Sequence, residues 1–266
     1  MGELGTVRIA SPQRMFLWAM ALMPLMCLPY LYFVWDIGTP FSGLFMFFVC
    51  AVDSFTIIIH ECGHAATQWL FGRTPQITLY SDLGAAKTNT GAFHPALLAL
   101  VYAGFIFLCV RFYKQRKSTA FAVTVAALFI HALIFATGTD RIVTMLMGYC
   151  TEVIGGTAFA FFCLFRAPRP LKWPWIIIDV TLHTGGTAFG LYPIFENMIH
   201  MLRLMTAERL PATFSPVNGG RVFNDIELAA NAMRVGVPAA AAIVFLFGAA
   251  CLGFIGYRAL TWRNAS

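Results

Sequence analysis

The residues best equipped for chemistry lie in one short stretch, FTIIIHECGHAATQWLFG, from Phe55 to Gly72. His60 and His64 are four apart, so on a helix they share a face and can present two imidazoles to one metal ion. Zinc accepts histidine nitrogen at about 2.0–2.1 Å and, in catalytic sites, keeps a position open for water. Glu61 follows the first histidine directly, a spacing that lets its carboxylate take a proton from a metal-activated water. H-E-x-x-H on a helix is the metalloprotease arrangement. A metal there would lower the pKa of the water toward 7 and polarise a substrate carbonyl. These three ionisable residues interrupt an apolar run, and charge in such a run is costly unless it has a function.

The elements that must position them are set by composition. Of 266 residues, 59% are hydrophobic and 11% charged, whereas soluble domains are about one quarter charged. Apolar blocks near 15–35, 43–71, 95–112, 119–137, 142–165, 174–202 and 236–257 reach the roughly 20 residues that span a bilayer core. Block hydrophobicity, rather than short alternating segments, excludes a barrel. The expectation is an all-α polytopic transmembrane bundle of about seven spans, a single integral-membrane domain over residues 1–266 with a short extramembrane segment at 206–235. In that segment Ile226, Ala229, Ala230 and Met233 fall on one helical face. Thr74 to Phe93 reads as a short extended loop or re-entrant piece. GGTAF recurs at Gly155–Phe159 and Gly185–Phe189, which predicts close contact of the fifth and sixth spans through small residues.

The net charge of +6 does not imply nucleic acid, because the cations cluster beside apolar spans. Arg111, Lys114, Arg116 and Lys117 form one group, Arg166, Arg169 and Lys172 a second, and Arg258 and Arg263 a third. With seven spans all three fall on one side, the cytoplasm by the positive-inside rule, and so does the C-terminus. The partners expected are the lipid bilayer and a membrane-protein or peptide substrate, with the plasma (inner) membrane of a bacterium as the location. The seven cysteines have neither zinc-ribbon nor disulfide-framework spacing.

HECGHAATQWLFGR resembles the active-site helix of the site-2 protease family of intramembrane zinc metalloproteases, through His60, Glu61, Gly63, His64, Ala65, Phe71 and Gly72. The resemblance implies zinc on His60 and His64, Glu61 as general base, and peptide bonds in or near the membrane as substrate. That family takes its third ligand from an Asp before a Gly on a later helix. In PVNGGRVF, Asn218 stands at that place, and Asn is a poor zinc ligand. Membrane zincins of the CAAX-protease type are similar in a downstream E-x-x-A-D helix, which ELAAN, Glu227 to Asn231, approaches. Asn224 and Glu227 also have the spacing of a capping box.

Among intramembrane groups, Asp179 and His183 share a face in the sixth span and could supply a ligand and its supporting partner. Asp179 is the preferred third ligand, with His183, Asn218 and Glu227 as alternatives. Glu152, His131 and the Glu196–His200 pair are further ionisable groups in apolar surroundings. Two other functions compete with the peptidase. A membrane di-metal oxidase would require several histidine boxes, and six histidines with a single HxxxH are few for one. A non-catalytic protease-like scaffold would explain the asparagines at 218 and 231.

Overall fold

The structure is a computed structural model that describes residues 11–34, 43–80, 85–165, 175–206 and 225–262, with side chains for 11–28, 55–78, 88–165, 180–206 and 225–262. In chain order the elements are α1 (Pro12–Val34), α2 (Gly43–Leu70), a hairpin of β1 (Gln76–Tyr80) and β2 (Ala85–Asn89), α3 (Pro95–Lys114), α4 (Ser118–Thr137), α5 (Asp140–Phe165), α6 (Trp175–Thr206), α7 (Asp225–Met233) and α8 (Val237–Leu260). Each of the seven apolar blocks is a helix. Among the described residues, four helices are long and apolar enough to cross a membrane: α3, α4, α5 and α8. They fit an integral membrane protein.

Local chemistry sets the ends of these helices. α2 stops at Gly72, whose φ of +74° is the left-handed conformation that glycine adopts without penalty. Arg73 N–H then returns to Gln68 C=O at 2.8 Å and Gly72 N–H to Trp69 C=O at 3.0 Å, which satisfies carbonyls the helix end leaves free. Pro95, at the start of α3, follows an extended His94 and needs no N–H partner there. Gly138, at φ +68°, ends α4.

The core lies between α5 and α6, flanked by α1 and α8. Val153, Ala160 and Leu164 of α5 pack with Ala188, Leu191 and Ile194 of α6, Met15, Phe16, Ala19 and Met23 of α1, and Ile255 and Ala259 of α8. A Cβ added at Gly156 would come within 2.5 Å of Gly190 C=O, and one at Gly190 within 2.5 Å of Ala160 N. The two backbones therefore meet where side chains are absent: the expected contact of the fifth and sixth apolar helices forms, with Gly156 of the first GGTAF against Gly190, one residue beyond the second, while Gly185 has open space around it. Pro193 lies inside α6 beside this crossing.

A second cluster joins α7 to the bundle. Ile226 and Ala230 are buried against Met201 and Leu204 of α6 and Ala240, Ala241 and Val244 of α8, with Met233 at its edge. This is the amphipathic face read from the sequence. The stretch from Thr74 to Phe93 is an antiparallel hairpin in register Gln76↔Asn89 to Tyr80↔Ala85, closed at its base by an Arg73–Phe93 bridge.

α3 and α4 pack chiefly on each other and turn large apolar side chains outward, among them Leu100, Phe107, Val123 and Phe129. An apolar surface of that extent is stable against lipid tails rather than water. The α3–α4 pair is tied to α2 by His131, which is buried. Its Nε2–H donates to Leu70 C=O at 2.9 Å, and its ring stacks on Phe71 with centroids 4.7 Å apart.

Candidate metal centre

The helix over 43–70 carries the HECGH residues into the contact between α2 and α5. Two glycines make that contact close. A Cβ on Gly63 would strike Thr151 and lie 2.6 Å from Met147 C=O. A Cβ on Gly148 would meet the His60 imidazole, with Cε1 at 2.5 Å and Cδ2 at 2.7 Å. Gly63 thus admits the α5 backbone, and Gly148 leaves the space that the His60 ring fills. Tyr149 holds that ring from the side, edge-on, with centroids 4.6 Å apart. His200 lies behind Tyr149 at 5.6 Å.

His60, His64 and Asp225 converge, and one donor atom from each lies within 4.8 Å of the other two. Asp225 Oδ2 is 3.0 Å from His60 Nε2 and 3.0 Å from His64 Nε2. Metal bonds of about 2.0–2.1 Å set the edge of a tetrahedron at about 3.4 Å. The three donors therefore need spread only by a few tenths of an ångström on those two edges.

The other ring nitrogens decide what the group can hold. His64 Nδ1 lies 2.6 Å from Thr144 C=O. A carbonyl oxygen only accepts, so Nδ1 carries the proton and donates it. In a neutral imidazole Nε2 is then a lone pair, and it faces a carboxylate oxygen. Two acceptors at 3.0 Å repel unless the ring is an imidazolium or a cation sits between them.

His60 repeats the pattern. Its Nδ1 is 2.6 Å from Glu152 Oε1, while Glu152 Oε2 accepts from Asn197 Nδ2 at 2.9 Å. Two adjacent imidazoliums, with ring centroids 4.6 Å apart, would repel each other in a nearly dry site. His60 Nε2, His64 Nε2 and Asp225 Oδ2 could together hold one divalent cation, which would relieve both repulsions. Ligating histidines ordinarily donate their second N–H to a carboxylate or backbone carbonyl, and both do so here. The donor set fits a divalent metal ion: two imidazole nitrogens and one carboxylate oxygen are ligands that zinc and iron(II) both accept.

Asp225 stands in the first turn of α7, outside the apolar helices. Burial alone would raise its carboxyl, but the hydrogen bonds with His60 and His64 and the nearby charge outweigh that. They hold it well below the usual carboxylate range. Its side chain is 31% exposed against 12% for His60 and 8% for His64, so Asp225 is the most exposed member of the group. Glu61 is buried. Its Oε2 has no hydrogen-bond partner among the described residues, and such an atom is costly unless a ligand or water completes it. Thr88 Oγ1 of β2 donates to the Glu61 carbonyl at 3.1 Å, which seats the hairpin against the same turn of α2.

The third member of the group is thus Asp225, which was not among the residues singled out from the sequence. The Asp179 side chain lies outside the described residues. Its backbone is in the first turns of α6, about 27 Å along that helix from Asn197, the α6 residue that reaches the site. His183 is engaged elsewhere, with Nδ1 donating to Cys163 C=O at 2.6 Å. Asn218 also lies outside the described residues. Glu227 is on α7 but is not part of the group. Glu152 stands one bond removed from the metal position, as the acceptor for His60.

Asp225 had a signal in the sequence, an acidic side chain next to a capping residue, but that is also how ordinary helix starts look. The chain matches no protein-family model, and neither the curated proteins nor the solved structures give a match.

Proposed function

We propose that this chain is a membrane-embedded zinc metallopeptidase that hydrolyses peptide bonds in or near the bilayer. The observation that carries the proposal is the convergence of two imidazole Nε2 atoms, each backed by an acceptor at Nδ1, with the Asp225 carboxylate, on a helix whose next residue, Glu61, is buried with an Oε2 that has no hydrogen-bond partner among the described residues. His60, His64 and Asp225 would hold the metal. When bound, it supplies Lewis acidity that makes water nucleophilic near neutral pH and polarises a carbonyl.

The chain's own residues do the rest. Glu152 and the Thr144 carbonyl fix both rings in the tautomer that directs Nε2 inward. Glu61 accepts the proton of the water that attacks the peptide carbonyl carbon, and then delivers it to the amine nitrogen as the C–N bond breaks. A carboxylate and a free amine leave. The single three-residue group among the described residues favours one metal over the two that a di-metal oxidase would need. The seven-span arrangement, a bacterial inner membrane and a cytoplasmic C-terminus belong to the same proposal, supported by the helix order and the basic groups.

The test is cleavage of a membrane-spanning peptide by the full chain reconstituted in liposomes, with Glu61→Gln beside it. Cleavage by the wild type, and none by a variant that retains its metal, supports the peptidase. Metal binding with no cleavage of any membrane-spanning or juxtamembrane peptide, under conditions where the metal stays bound, would leave the scaffold reading instead.

A further inference from the structure

We infer that the turn joining α3 and α4 is a binding site for an anionic phospholipid of the surrounding bilayer. The inference rests on the chain being a membrane protein and is independent of the peptidase chemistry.

From Pro95 to Thr137 the sequence contains no aspartate or glutamate, yet Arg111, Lys114, Arg116 and Lys117 fall within one short stretch. All four are exposed. Neither helix supplies them with a counter-charge. A shallow cleft runs down α3 from this cluster, lined by Phe107 and Val110 and then by Arg111, Lys114 and Gln115. It is apolar toward the middle of the helix and cationic at its end. That order matches an acyl chain followed by a phosphodiester.

Two features of the turn itself fit the same ligand. Arg116 has a φ of +54°, a left-handed conformation that is unfavourable for a side-chain-bearing residue and that glycine would adopt freely. The strain is tolerated at a position that keeps a guanidinium beside three other cations. α4 begins immediately after, with Lys117 as its N-cap residue and no side chain capping it. The first N–H groups of this 20-residue helix are thus left without a side-chain cap, at a helix end where an anion is favoured. Tyr113, exposed and in contact with Phe121, supplies the aromatic neighbour typical of the headgroup level. Zwitterionic lipid has the same chains but no net charge to match the cluster.

The test uses the full chain in mild detergent, titrated with short-chain phosphatidylglycerol or phosphatidylcholine and read by native mass spectrometry. Arg111→Gln/Lys114→Gln is compared with Arg258→Gln at the end of α8. A cation near an anionic lipid surface contributes about fivefold in affinity, so the double variant should bind phosphatidylglycerol about 25-fold more weakly. Arg258→Gln should leave binding unchanged, and inorganic phosphate at equal concentration should not compete. Equal retention of both lipids would overturn the inference, as would equal loss in Arg258→Gln, which would indicate a diffuse basic rim. Full competition by inorganic phosphate would make the ligand a soluble anion and overturn it too. Unchanged helicity of the double variant by circular dichroism separates lost binding from lost folding.

Discussion

Replacing Glu152 by Gln tests how the centre is built without touching a ligand. In the structure Glu152 Oε1 lies 2.6 Å from His60 Nδ1, and Oε2 accepts from Asn197 at 2.9 Å. Gln has almost the same shape and can still accept from Nδ1–H through its amide oxygen. What it loses is the charge, which makes the bond stronger and raises the basicity of Nε2. It also turns an amide toward Asn197 Nδ2, so that one of the two donors loses its acceptor. Supporting partners of this kind are worth about 10–100-fold in metal affinity, or about 1.4–2.7 kcal/mol. The measurement is competition for zinc against a chromophoric chelator in detergent, with thermal unfolding followed alongside. Weaker binding by one to two orders of magnitude, in a protein that still folds, is expected. A folded Glu152→Gln protein that binds zinc as tightly as the wild type would refute the reasoning, because His60 would then need no ionised partner.

Other perturbations separate the remaining roles. Glu61→Gln should keep the metal and lower peptide cleavage by about 10²–10⁴-fold, the range of a lost general base, as read by turnover and metal content on the same sample. Gly148→Ala places a methyl against the His60 ring. It should weaken metal binding and destabilise the fold by about 1–3 kcal/mol, the range for overpacking. Gly253→Ala, with open space around it, should be neutral or stabilising on thermal unfolding. Acidification should release the metal, since both imidazoles must be neutral to coordinate. Dialysis at about pH 8 and about pH 5, followed by metal analysis, should show retention at the first and loss at the second.

The helices were legible because their signal is local. A run of apolar residues specifies a helix in lipid wherever its neighbours lie, and α1 to α6 and α8 sit over the blocks read from the sequence. The α7 face was legible for the same reason, since Ile226, Ala229 and Ala230 carry their periodicity within a few residues. His60, Glu61 and His64 were legible as a unit because i, i+4 geometry needs no tertiary information.

Asp225 was not, because it joins His60 across 165 positions of chain and looks there like an ordinary first-turn acid. Thr144 contributes a backbone carbonyl, which no side-chain pattern announces. Glu152 was recognisable as a costly charge in an apolar helix, but its place behind His60 rather than on the metal depends on how α5 crosses α2. The preference for Asp179 came from its spacing to His183. The Asp179 side chain lies outside the described residues, and His183 Nδ1 donates to the Cys163 carbonyl, a contact to α5 that is invisible from α6 alone. The hairpin between α2 and α3 carried no strong alternation, and its ladder is fixed by the base bridge and the Thr88 contact to Glu61.

The most direct test of the central claim is metal content. The full chain is purified in detergent without chelator, offered zinc, freed of excess and analysed by mass spectrometry of the elements. His60→Ala/His64→Ala, Asp225→Ala and Asp179→Asn are treated in parallel. The account predicts about one zinc per chain in the wild type and in Asp179→Asn, and little or none in the other two. A wild type that holds no metal, or an Asp225→Ala protein that keeps its zinc while Asp179→Asn loses it, would contradict the account.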